Sequence, residues 1–171
     1  MKTFYIHGYG SSPKSQTFLD FKAAIPDIEC LTYDSNAPMS SILNIVSYLK
    51  TIDEPIHIIA SSLGGWYAER IASIISVSLT LYNPSLNPRE SLKKYGLPES
   101  VTSLYRDLDI NLNIDRTIVL CSDDDVVLPR NAMVKYVNIA HIIITNGGHR
   151  MTPTNMEIIV NDWKFRSNQL G

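Results

Sequence analysis

Residues 56 to 65 read I-H-I-I-A-S-S-L-G-G, an apolar, β-branched run that stops on two serines and two glycines. Such a run has the character of a buried strand. A serine placed directly after it, between very small residues, proposes a sharp strand-to-helix elbow with the hydroxyl at its apex. Strand and helix pass so close there that the positions two before and two after the apex must be small. Ser62 meets this with Ala60 and Gly64, whereas Ser61 would be flanked at the same distance by Ile59 and Leu63, whose branched side chains would collide. Ala60 stands where the G-x-S-x-G pattern has its first glycine, one methyl larger.

Around that segment the chain alternates strand and helix. Thr3 to His7 is expected as a first strand, followed by a helix opened by the S-S-P of Ser11, Ser12 and Pro13 and closed before Pro26. Ile28 to Tyr33 is expected as the second strand. Ser40 or Ser41 would then cap a helix in which Ile42, Ile45, Val46 and Leu49 keep helical spacing. Further strands are expected over Pro55 to Ala60, Val77 to Tyr82, Thr117 to Cys121 and His141 to Thr145. Between and after them, helices are expected over Leu63 to Ile75, Pro129 to Tyr136 and from Thr152 and Pro153 through Trp163. Strands that are apolar almost throughout indicate burial on both faces. The predicted fold class is therefore α/β, a three-layer, mostly parallel sheet with helices on both faces. At 171 residues the chain is sized for one domain, residues 1–171. Residues 84–113 break the alternation with Pro88, Gly96 and Pro98, and are read as a small lid insertion of short helical pieces.

Fifteen Lys and Arg against seventeen Asp and Glu give a net charge of −2 with no basic stripe, so nothing recommends nucleic acid or a membrane surface as partner. A small molecule without strong charge is expected instead. Cys30 and Cys121 lie far apart, which fits reduced thiols and a cytoplasmic location. The apolar run at the start is too brief for a signal segment or a span. Oligomeric state is not legible.

In a parallel sheet, chemistry gathers at the carboxyl ends of the strands. Just beyond those ends stand H-G-Y-G-S-S, S-S-L-G-G, S-D-D-D-V-V and N-G-G-H-R. A serine hydroxyl needs an imidazole to take its proton, and the imidazole needs a carboxylate to fix its tautomer. His149 and one of Asp123, Asp124 and Asp125 suit those roles, and the order Ser, Asp, His is that of α/β hydrolases. A calcium loop is the competing reading of the aspartates, but the glycine and distant glutamate of an EF-hand are missing. An acyl-transfer oxyanion also needs two donors. The backbone N–H of Leu63 follows from the elbow rule, and that of Tyr9 from the loop after the first strand, where Gly8 and Gly10 let amides turn inward.

These motifs together resemble the YqiA-like small bacterial esterases of the α/β-hydrolase fold. The shared pattern is H-G-x-x-S-S-P, S-S-L-G-G, N-P-S-x-x-P, an aspartate loop ending in D-x-V, and a glycine-rich histidine, spanning Tyr5 to Arg150. The resemblance implies Ser62 as nucleophile, His149 as base and Asp124 as acid. It departs at Ala60 and at Asp123, where the family commonly has glycine. The expected activity is hydrolysis of carboxylic esters with short acyl chains through an acyl-enzyme, with no metal or organic cofactor. Thioester or peptide cleavage on the same triad, or a catalytically silent binding module, are the alternatives. His7 is read as a brace in its H-G turn, Gly64 as support for the elbow, and His57 and His141 as structural or surface residues. Trp66 and Tyr67 are read as core, and Arg89, Lys93, Lys94 and Arg106 as a solvated face.

Overall fold

The computed structural model describes residues 1–127 and 129–169. Six strands form a single sheet: β1 (Lys2–Ile6), β2 (Glu29–Leu31), β3 (Ile56–Ser61), β4 (Ser78–Tyr82), β5 (Arg116–Cys121) and β6 (His141–Thr145). Their spatial order is β2-β1-β3-β4-β5-β6, and every pairing is parallel, so the sheet is wholly rather than mostly parallel. Parallel neighbours require crossovers, which the helices supply. They are α1 (Gln16–Ala24), α2 (Pro38–Leu49), α3 (Leu63–Ala72), the short α4 (Pro88–Ser91) and α5 (Glu99–Thr102), α6 (Pro129–Tyr136) and α7 (Pro153–Gln169). A 3₁₀ turn over Leu92–Tyr95 joins α4 to the segment before α5.

Alternate residues of each strand feed two separate cores. Ile58, Leu79, Leu81, Ile118 and Leu120 pack with side chains of α2, α3 and α6, among them Ile42, Trp66, Tyr67 and Tyr136. Tyr5, Ile59, Tyr82 and Val119 face the opposite way, onto Phe18 and Phe21 of α1 and Ile159 of α7. Trp66 and Tyr67 are fully buried, as expected of core.

Two helix starts differ from the sequence reading. The S-S-P stretch makes a turn in which the Ser15 N–H donates to the Ser12 carbonyl, and Ser15 becomes the cap, its Oγ accepting the Phe18 N–H at 3.3 Å. Proline favours the first central position of such a turn. α2 begins at Pro38, earlier than expected, because Ser41 is already engaged elsewhere: its Oγ accepts the Asp34 N–H at 2.9 Å. Residues 84–113 do carry short helical pieces, as read. Among the described residues no helix is long and apolar enough to cross a membrane.

Candidate active site

β3 ends at Ser61 and α3 begins at Leu63, so Ser62 alone makes the turn. Its backbone lies at φ 50° and ψ −120°, a conformation that costs a residue with a side chain on the order of 1–3 kcal/mol. Neighbours hold it there. The Ser62 N–H donates to the Tyr82 carbonyl at 3.0 Å, and its own carbonyl accepts the N–H groups of Gly65 and Ser85, each at 2.9 Å. A Cβ at position 64 would stand 2.2 Å from the Ile6 carbonyl oxygen, so only glycine lets α3 cross β1 at this height. Ala60 is fully buried, its methyl accommodated in the core beneath the elbow. Ser61 is turned away and shares a 2.8 Å hydrogen bond with the Tyr5 hydroxyl.

The Ser62 hydroxyl does not cap α3. It lies 2.9 Å from His149 Nε2, and His149 Nδ1 lies 2.8 Å from Oδ2 of Asp124. The other oxygen of Asp124 accepts the N–H groups of Val126 and Val127 at 2.8 and 3.1 Å. Burial alone would push this carboxyl up, but hydrogen bonds from His149, Val127 and Val126 outweigh it and hold the group below the usual carboxylate range. An ionised carboxylate only accepts, so it selects the Nδ1–H tautomer and leaves the Nε2 lone pair facing the serine.

The three consecutive aspartates diverge. Asp124 is 4 % exposed and meets the imidazole, whereas Asp125 is exposed. Asp123 points at the loop that carries His149: its carboxylate accepts the Gly147 N–H at 3.0 Å and the Gly148 N–H at 3.0 Å. Those bonds, first from Gly148 and then from Gly147, hold the Asp123 carboxyl below its ordinary value. Gly147 and Gly148 sit at φ 129° and 69°, which glycine alone adopts freely. Sequence reasoning missed this clamp. It also missed Asn83, whose Nδ2 donates to the Gly148 carbonyl at 3.0 Å, and Asn155, whose Nδ2 donates to the Asn146 carbonyl at 2.9 Å. Asn83 opens the N-P-S motif, and that was the available signal. Among the described residues no cluster of three His, Cys, Asp or Glu side chains is arranged to hold a metal ion.

On the other flank, the loop after β1 presses on the elbow: a Cβ at Gly8 would come within 3.3 Å of Ser62 Cβ. His7 is 6 % exposed, stacked on Tyr33 with ring centroids 4.8 Å apart, and its Nδ1 lies 2.9 Å from the Gly8 carbonyl. Burial lowers its pKa, the Gly8 bond opposing. The N–H groups of Tyr9 and Leu63 donate to no other described residue. A cavity of about 600 Å³ is bounded by the loop after β4, the residues after Asp124, and α6, and its lining includes Ser85, Val126 and Val127, which hydrogen-bond Ser62 and Asp124. A larger groove of about 1170 Å³ lies at the amino-terminal end of the sheet, lined by Asp115, His141 and Phe165, remote from Ser62.

A wholly parallel sheet with a serine elbow after its third strand, a carboxylate loop after the fifth and a histidine loop after the sixth is an α/β-hydrolase fold. Solved structures agree. The α/β-hydrolase domain-containing protein 10 from mouse matches with a TM-score of 0.71 at 13 % identity, over 99 % of this chain and 90 % of that one. The esterase Pf2001 of Pyrococcus furiosus matches with a TM-score of 0.65 at 17 % identity, over 99 % and 81 % of the two chains. Residues 2–159 match the model of UPF0227, described as an uncharacterised protein family, and the chain belongs to that family. The UPF0227 protein YcfP of Escherichia coli is 27 % identical over 135 residues, which are 72 % of this chain and 75 % of YcfP. Fold and family are thus as the motifs implied.

Proposed function

We propose that this chain is a serine hydrolase of carboxylic esters. The observation that carries the reading is the relay of 2.9 and 2.8 Å from Ser62 through His149 to Asp124, assembled from three strand ends far apart in sequence. Ser62 Oγ attacks the acyl carbon while His149 Nε2 takes its proton. The ester C–O bond breaks, and the same proton passes to the leaving alcohol. Water, deprotonated by His149, then cleaves the acyl-serine and restores the hydroxyl. The amides of Tyr9 and Leu63, which donate to no other described residue, with Leu63 at the positive end of α3, receive the oxyanion in both steps. Residues 84–113 act as the lid that bounds a pocket for a short acyl group, and several of them line the cavity of about 600 Å³ next to the residues that hold Ser62 and Asp124.

The test is a series of p-nitrophenyl esters from acetyl to decanoyl, run beside the matching acyl-CoA thioesters. The expected result is turnover of the short esters above the thioesters, abolished in Ser62→Ala. Turnover of thioesters alone would reassign the substrate, and equal rates for Ser62→Ala would reject the nucleophile.

A further inference from the structure

The cavity next to the residues that hold Ser62 and Asp124 is edged by more positive than negative side chains. One wall begins at Ser85, whose N–H donates to the carbonyl of Ser62, and the facing wall includes Val126 and Val127, whose N–H groups hold Asp124. Both walls are therefore tied by direct hydrogen bonds to residues of the relay. Three cations line this space, Lys94 from the 3₁₀ turn and Arg130 and Lys135 from α6. Among the described residues, none of the three has a carboxylate within 4.0 Å, whereas Arg89 pairs with Glu99 at 3.6 Å and Lys93 with Glu90 at 3.2 Å. Two acids also line the cavity. They are Glu90, which also pairs with Lys93, and Asp107, so the three cations of the lining outnumber its acids. The chain as a whole is at −2, so this local excess runs against the average. A concave site with an excess of one sign of charge concentrates ligands of the other sign.

We propose that the cavity binds a negatively charged group on the acyl part of the substrate. The preferred substrates are then esters of dicarboxylic acids with one free carboxylate, and Lys94, Arg130 and Lys135 are specificity determinants. This rests on the ester-hydrolase reading and narrows its substrate class. It also replaces the solvated-face reading of Lys94 and the expectation of a partner without strong charge. The carbonyl to be attacked sits at Ser62, and the distal carboxylate reaches along the Ser85 wall toward the basic rim. The apolar side chains of Val126, Val127 and Ala132 cover the methylenes between them.

The experiment compares mono-4-nitrophenyl adipate with 4-nitrophenyl hexanoate, which share a leaving group and chain length and differ in the terminal carboxylate, after subtraction of enzyme-free rates. Wild type should favour the adipate hemiester roughly tenfold in kcat/KM, mainly through KM. That preference should fall toward unity at about 0.5 M sodium chloride, where screening shortens to a few ångström. It should also be lost in the triple variant Lys94→Gln, Arg130→Gln, Lys135→Gln, whose fold is verified by circular dichroism and whose three positions are all exposed. A ratio of one or below in wild type, or an unchanged preference in the triple variant, overturns the proposal while leaving the hydrolase reading intact. Cleavage of neither ester would instead remove the hydrolase reading and the proposal with it.

Discussion

At the scale of single residues, neighbouring aspartates take different partners: Asp124 meets the His149 imidazole, Asp123 meets the Gly147 and Gly148 amides, and Asp125 is exposed. Asp124 fixes the imidazole tautomer, so Asp124→Asn should lower kcat by about 10⁴-fold, the loss typical when a triad histidine is held the wrong way round. Asp123 never meets the imidazole ring but anchors the two glycine amides before it. Asp123→Ala should lower kcat by roughly 10-fold to 100-fold with little change in KM, because a displaced base slows chemistry more than binding. Steady-state kinetics on the two variants checks both. That Ser62, His149 and Asp124 meet was legible because side-chain size, strand-end position and the D-x-V spacing all leave marks on the sequence. The clamp by Asp123 was not, since it is a contact between a carboxylate and backbone amides 24 and 25 residues away. Backbone donors carry no residue-specific signature.

At the scale of elements, the sequence placed all six strands and the order of the principal helices, because apolar runs and helical periodicity are properties of the elements themselves. Helix starts were less legible. Ser12 and Ser15 are both competent caps, and a proline-containing turn decides between them. Ser41 looked like a cap until the Asp34 backbone claimed its hydroxyl. The tightest junction is that of α3 with β1 at Gly64. Gly64→Ala would drive a methyl against two backbone oxygens, at 2.2 and 2.7 Å, neither of which can swing aside as a side chain would. Thermal denaturation should show a loss of several kcal/mol, or no folded protein at all. By contrast, Gly10→Ala meets open space and only a left-handed backbone at φ 70°, costing about 1–2 kcal/mol. Equal stabilities for the two variants would refute the close crossing.

Across the whole molecule, the end of the sheet opposite Ser62 is held by buried polar groups that no motif advertises. His57 is completely buried, with Nδ1 2.8 Å from Ser78 Oγ and Nε2 3.1 Å from Thr80 Oγ1; the Thr80 hydroxyl donates to Asp162, which Arg166 bridges. Burial first, with the charge of Arg166 adding, pushes the His57 pKa down to about 3. The sign comes from proton counting. Between the unfolded value of ~6.5 and the folded value, the unfolded chain holds a proton that the native chain lacks, so stability is complete above that window and declines as pH falls through it, by about 1.4 kcal/mol per unit. Denaturant titrations from pH 8 to 4 should show this decline, and it should flatten in His57→Gln. Identical slopes in the two proteins would remove His57 as the cause. In the other core, Arg116 and Glu69 pair at 3.2 Å with both side chains wholly buried, and Glu69 also accepts from Tyr136 at 2.9 Å. Removing one partner, as in Arg116→Met, should cost about 3–5 kcal/mol, while Arg116→Met with Glu69→Leu should recover most of it.

The central claim is that a hydroxyl, an imidazole and a carboxylate brought together at the carboxyl end of this sheet make Ser62 a nucleophile. The most direct measurement is intact-mass and peptide mass spectrometry after exposure of the folded protein to a fluorophosphonate. One adduct on the peptide bearing Ser62 is predicted, slowed severely in His149→Ala and missing in Ser62→Ala. An unmodified wild-type protein, or an adduct on any other residue, would contradict it.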